Sequence, residues 1–160
     1  MSTDALQALQ GSRLAAELAP QQLERLARNI TLRTLRAGEV LVAEGTSDNH
    51  LYVVVSGALA VVRGAGGAEP VTLFGLVPGD FVGELSFIDA TSHYASIVAT
   101  APSTVFGLER EKLEGMLASE PQIVYRVMRA IVRVVHQIQR RLSMQQTELV
   151  NYIYKQHGRY

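Results

Sequence analysis

The chain has 160 residues, 48% of them hydrophobic and 19% charged, with a formal net charge of zero. That is one domain's worth of chain, which excludes a multidomain enzyme with separate cofactor and substrate lobes, and the composition excludes wholesale disorder. The absence of cysteine removes disulfides, thiolate nucleophiles, Cys-ligated zinc and Fe–S clusters, and it fits a reducing cytoplasm.

Zero net charge hides an asymmetry. Residues 1–120 carry 8 Lys and Arg against 14 Asp and Glu, a net −6, while residues 121–160 carry 7 against 1, a net +6. The basic tail reads either as a solvated helix face or as a surface that draws phosphate or an acidic partner to Arg126, Arg129, Arg133, Arg140 and Arg141. At the other end, Asp4 lies ahead of Arg13 with no continuous apolar run, unlike a secretory signal, and no segment reaches transmembrane length.

In chain order, the first stretch reads helical. Pro20 suits a first helical position, and Leu23, Leu26, Ala27 and Ile30 recur at three- and four-residue spacing on one face. From about Thr31 to Glu109 the texture changes to short β-branched runs: TLRTL, EVLVAEG, HLYVVVSG, ALAVVRG, PVTLFG, DFVGE, ASIVAT and STVFGLE. Eight such runs, punctuated by turn chemistry at Ser56-Gly57, at residues 64–70 and at Pro78-Gly79, predict a sandwich or barrel. No fixed long period supports a propeller or solenoid.

Helical periodicity returns with a short segment around Lys112 to Leu117, then with a helix opened by Pro121 and uninterrupted to Gly158. Such a helix would be about 54 Å long. Val124, Met128, Ile131, Val135, Ile138, Leu142, Gln145, Leu149 and Tyr152 alternate four- and three-residue steps, the seam of a coiled coil. A small β-domain cannot cover so long a helix. The seam is therefore expected to meet its own copy in a parallel homodimer, with Val127 and Val134 beside it facing the β-domain. The expected division is a β-roll with N-terminal helices over 1–120 and a dimerisation helix and tail over 121–160.

Two blocks carry a family resemblance. LRAGEVLVAEGTSDNHLYVVVSGALAVV, with Gly38, Gly45 and Gly57 at turns, and LVPGDFVGELSF resemble the cyclic nucleotide-binding domain family, the second block being similar to its phosphate-binding cassette. The long helix is most like that of the catabolite activator and fumarate-nitrate regulator group of bacterial transcription factors. The resemblance implies a mainly β fold with flanking helices: a double-stranded β-helix, or jelly-roll-like β-roll, followed by a long C-terminal dimerisation helix.

The cassette's chemistry is readable from its residues. Gly83 permits close backbone approach, and a short helix starting there would offer the amides of Leu85 and Ser86 to an anion. The resemblance implies that Glu84 accepts a hydrogen bond from a ribose hydroxyl. The family's cassette usually ends with P-R-A-A or R-S-A, whose Arg neutralises the cyclic phosphate. Here the stretch is Thr91-Ser92-His93-Tyr94-Ala95-Ser96, and neither Arg nor Lys occurs between Arg63 and Arg110. His93 takes the Arg position without an insertion, Tyr94 with one. Either side chain can donate one hydrogen bond but brings no fixed charge near neutral pH. The lost contact is worth roughly 1.5–3 kcal/mol, or about one to two decades in affinity. Arg129, Arg133 and Arg140 of the long helix are candidates to compensate.

By the family's pattern the base contact comes from the long helix, and position after Pro121 points to Gln139, which reads equally as an exposed helix residue. The candidate ligand contacts are Phe74, Val82, Gly83, Glu84, Leu85, Ser86, His93, Tyr94, Ala95 and Gln139, with Phe87 a further candidate for the apolar wall. No Ser-His-Asp order, metal-spaced His cluster or Walker loop suggests catalysis or a metal, and His50, His93, His136 and His157 are scattered. A lone His93 or His136 as a haem ligand is less common than a structural histidine.

In the transcription factors a helix-turn-helix follows this helix, and the residues present here cannot themselves read base sequence. Two functions remain. One is a cytoplasmic sensor module for cyclic AMP, cyclic GMP or cyclic di-GMP that signals through the dimer helix. The other is a degenerate module kept for dimerisation or protein–protein interaction.

Overall fold

The computed structural model describes residues 2–157, so the expected helix stop at Gly158 lies outside the described residues, as does the side chain of His157. Helix α1 (Ser2–Gln10), a 3-10 turn (Arg13–Ala16) and α2 (Pro20–Ala27) lead into eight strands: β1 (Ile30–Leu35), β2 (Val40–Val42), β3 (His50–Ser56), β4 (Leu59–Arg63), β5 (Val71–Leu76), β6 (Phe81–Val82), β7 (Ser96–Ala99) and β8 (Ser103–Glu109). Helix α3 (Glu84–Asp89) interrupts the strands between β6 and β7, and α4 (Arg110–Glu114) and α5 (Pro121–His157) close the chain. Each of the eight β-branched runs holds one strand.

The strands form two four-stranded antiparallel sheets, ordered β1-β8-β3-β6 and β2-β7-β4-β5. Non-sequential neighbours make this a jelly-roll-like β-roll. Strands β3 and β8 at the centre of the first sheet are buried on both faces, which accounts for the continuous apolar text of β3. Tyr52, Val54 and Val105 point into the roll, where they meet Leu41, Leu59, Val61 and Ile97 of the second sheet. Their neighbours Leu51, Val53, Phe106 and Leu108 point out, into a second core made with α1, the 3-10 turn, α2 and α5. One residue's difference in register would exchange the two sets, so pairing such as Leu51 with Leu108 is fixed by both cores at once.

The turn between β3 and β4 depends on Gly57, at φ +88°, where an added Cβ would lie 2.3 Å from Ser103 Oγ and 2.4 Å from the Pro102 carbonyl oxygen. Only glycine fits this left-handed position against the β7–β8 turn.

Helix α5 docks its first half and projects its second. Ile123, Val127, Ala130, Ile131 and Val134 are buried in the outer core, and Val124, Met128 and Val135 pack partly against it. Val127 and Val134 thus face the body of the protein. Ile131, expected on a seam between two copies, is instead buried in the chain's own core, at 1% exposure. The physical reason is that α1, the 3-10 turn and α2 cover the helix there, an occupant that a heptad pattern does not distinguish from a second copy. From Ile138 onward the seam residues Ile138, Leu142, Leu149 and Tyr152 are exposed.

The basic face of α5 is also anchored internally. Glu17, whose side chain is only 10% exposed, pairs with Arg129 at 3.5 Å and with Arg133. Arg126 donates to the Glu17 carbonyl and to Gln22, each at 3.2 Å. Three of the five arginines read as a possible docking surface are therefore met by the N-terminal segment. No helix among the described residues is long and apolar enough to cross a membrane.

Candidate ligand-binding cavity

Strand β6 pairs with β3 through Tyr52 and Val82, and Gly83 then turns the chain into α3. Gly83 has φ +80°, and a Cβ there would sit 2.8 Å from the His50 carbonyl oxygen, so the turn is specific to glycine. Phe87 packs into the outer core and orients α3. The buried Ser86 hydroxyl bonds to that of Ser47 at 3.0 Å and accepts from the Asp48 amide at 3.3 Å. It ties α3 to the loop before β3.

The segment after α3 is held by the same loop. The His93 amide donates to the Thr46 carbonyl at 2.8 Å, and the Gly45 amide donates to the His93 carbonyl at 2.7 Å. His93 Nε2 lies 3.1 Å from Asp48 Oδ1, and the Tyr52 hydroxyl donates to Asp48 Oδ2 at 2.7 Å. Burial foremost, then the bond to Asp48, raises the Tyr52 phenol above its ordinary value. A carboxylate oxygen accepts, so His93 Nε2 is engaged by Asp48 and Nδ1 is the other ring nitrogen.

A cavity of about 600 Å³ opens beside this segment. Phe74, Val82, Gly83, Glu84, Leu85, Ser86, His93, Tyr94 and Ala95 all line it, so nine of the ten expected contacts converge. Phe87 does not; it faces the outer core. Glu84 has no hydrogen-bond or ion-pair partner among the described residues, while burial first, and then the nearby Glu84 charge, raise the Tyr94 phenol above its ordinary value. The opposite wall is one face of α5: Val134, Gln137, Ile138, Arg141, Leu142 and Gln145. Gln139 does not line it: the cavity face of α5 is centred between positions 137 and 138, and at about 100° per residue position 139 points about 150° away from that centre.

The compensating arginines also differ from expectation. Arg129 and Arg133 are taken by Glu17, and Arg140 does not reach the cavity. The two that line it are Arg13 and Arg141. Arg13 approaches Asp80 at 4.0 Å and donates to Gln137 Oε1 at 3.4 Å, whereas Arg141 has no ion pair among the described residues. The spacing of 134, 137, 138, 141, 142 and 145 marks one helical face and could have exposed Gln137 and Arg141. Nothing in the sequence signals Arg13, which arrives from the N-terminal segment.

Residues 32–120, more than half of the chain, match the family profile described as the cyclic nucleotide-binding domain. The chain belongs to this family. The cyclic nucleotide-binding domain is 27% identical over 125 residues to the cyclic AMP receptor protein of Thermus thermophilus, covering 78% of this chain and 58% of that protein. It is 28% identical over 135 residues to an uncharacterized NTE family protein of Mycobacterium tuberculosis, covering 84% of this chain and 22% of the relative. The domain thus spans about a fifth to somewhat over half of these two relatives. Among solved structures, a cyclic nucleotide-binding domain from Methylobacillus flagellatus superposes with a TM-score of 0.75 at 21% identity, over 88% of this chain and 79% of that one. The β-roll and long helix of the domain are therefore the family's fold.

Proposed function

We propose that this domain is a regulatory sensor, without catalysis of its own, that binds a cyclic nucleotide or related anionic ligand and signals through a homodimer built on α5. The observation that carries the reading is the cavity itself, whose two walls are the family's cassette and one face of α5. Ile138 and Leu142 belong both to that face and to the exposed part of the seam. A ligand in the cavity and a second copy on the seam would touch the same two side chains. Occupancy then biases how the helices pair, the differential affinity that a two-state signal requires. Cyclic AMP, cyclic GMP and cyclic di-GMP are the candidate ligands, and the compartment proposed for the exchange is the cytoplasm.

Thermal melting against each nucleotide near millimolar concentration tests this. Ligand at about 100 times its dissociation constant adds roughly 2.7 kcal/mol, a shift of several degrees for a domain of this size. The expected result is a shift that Glu84→Ala abolishes. A second reading, a degenerate module retained for dimerisation, draws on the His93–Asp48 contact, which engages one ring nitrogen of His93 in a segment that holds neither Arg nor Lys. No shift with any of the three nucleotides, together with a stable dimer, would favour it.

A further inference from the structure

The charges around the cavity are not placed where a cassette-bound phosphate needs them. Four ionisable side chains of fixed charge near neutral pH line it: Arg13, Arg141, Asp80 and Glu84. Both cations stand at the α5 wall. Arg13 Nη1 lies 3.4 Å from Gln137 Oε1, and Arg141 follows Gln137 by one helical turn on the same cavity face. Arg13 shares its charge with Asp80 only at 4.0 Å, and Arg141 is unpaired among the described residues. The Gln137 oxygen faces Arg13, which leaves its amide NH2 as a further donor beside the two guanidiniums.

The cassette wall is the reverse. Glu84 has no counter-ion there and lies close enough to raise the Tyr94 phenol. His93 Nε2 is engaged by Asp48 at 3.1 Å. An anion seated against the cassette meets the Glu84 carboxylate and, for donors, only neutral groups such as the α3 amides and the Tyr94 hydroxyl, whereas an anion at α5 meets two guanidiniums able to make charge-assisted bonds. Between the two walls lie Leu73, Phe74, Leu85 and Tyr94, apolar side chains that are all exposed to the cavity or its mouth.

We infer that the cavity takes an organic anion with its charged group on Arg141 and Arg13 at the α5 wall and its ring body on Leu73, Phe74, Leu85 and Tyr94. The ligand class is therefore a phosphate, sulfonate or carboxylate carried at one end of an apolar body of one or two rings, with any hydroxyl directed to Glu84. This rests on the reading above that the cavity binds an anionic ligand, and it assigns the orientation and the residues that meet the charge.

Isothermal titration of the full chain with 1-naphthyl phosphate, its neutral counterpart 1-naphthol, and cyclic AMP separates the two claims. The expected result is that 1-naphthyl phosphate binds at least tenfold more tightly than 1-naphthol, the worth of a charge-assisted contact. Arg141→Ala should remove that difference while 1-naphthol binding is unchanged, which shows the variant still folded. Arg13→Ala should reduce it, and Arg140→Ala, off the cavity, should leave it intact. Anion binding that survives Arg13→Ala and Arg141→Ala but is lost in Glu84→Ala overturns this orientation and leaves the sensor reading standing. Failure of both 1-naphthyl phosphate and cyclic AMP to bind overturns the two together.

Discussion

His93 Nε2 stands 3.1 Å from Asp48 Oδ1, and the other oxygen of the same carboxylate accepts from the Tyr52 hydroxyl at 2.7 Å. One acidic side chain therefore joins the closing segment of the cassette to β3 inside the roll. The His93 side chain is nearly buried, so its contact is worth more than a surface pair.

Replacing Asp48 by Ala would leave the Tyr52 hydroxyl and the His93 ring without their acceptor, at about 1–3 kcal/mol for each buried group not reached by water. The expected outcome in urea unfolding is a lowered midpoint with an unchanged slope. Because the two side chains share one partner, Asp48→Ala combined with His93→Ala should cost less than the two singles added together. Strict additivity would mean that the contact carries no energy.

Alkali should act on the same network through Tyr52. Burial first, and then the bond to Asp48, raises its phenol above the ordinary 10.0. A group that the fold holds protonated contributes its stability in full below 10.0 and loses it as pH rises above that value. The burial of Tyr94 pushes in the same direction. Melting temperature should accordingly fall as pH is raised past about 10, and less steeply in Tyr52→Phe, which has no phenol to titrate. Equal slopes in the two proteins would remove Tyr52 from the account.

The β-roll was legible because its cause is local. A strand's burial leaves a period in the text, and in HLYVVVS the continuous run records a sheet covered on both faces. The cassette residues could be read as a unit for the same reason, lying within one short stretch. What the sequence hid were partners brought from far along the chain. The arginines of α5 were visible as a basic face, yet their counterpart Glu17 lies more than a hundred residues away. Asp48 beside His93 and Arg13 beside Gln137 are likewise products of the fold. Ile131 shows a different limit: its spacing was read correctly as an apolar seam, but a seam does not name its occupant.

Glycine positions give a contrast in which geometry decides the magnitude. Gly57→Ala would force a Cβ to 2.3 Å from Ser103 Oγ and 2.4 Å from a carbonyl oxygen, so two turns must separate, whereas Gly66, at φ +84°, has nothing within 4 Å of the added atom. Both substitutions carry the left-handed backbone cost of about 1–2 kcal/mol, and only the first adds displacement of packed backbone. Gly66→Ala should lower the melting temperature by a few degrees and Gly57→Ala by clearly more. Similar losses would show that the β3–β4 turn can relax away from Ser103.

The homodimer proposal makes opposite demands on two residues of the same seam. Leu149 is 60% exposed and Ile131 is 1% exposed. A charge at Leu149 is harmless to an isolated chain but would be desolvated against a second copy, while a charge at Ile131 is buried within the chain and destabilises it whatever the oligomeric state. Leu149→Asp should therefore keep its circular dichroism and melting behaviour at low concentration yet sediment as a monomer where the native chain sediments as a dimer. Ile131→Asp should lose the folded signal itself. A native chain that sediments as a monomer at micromolar concentration would defeat the homodimer reading, and the exposed stripe of Ile138, Leu142 and Leu149 would then have to meet a different protein.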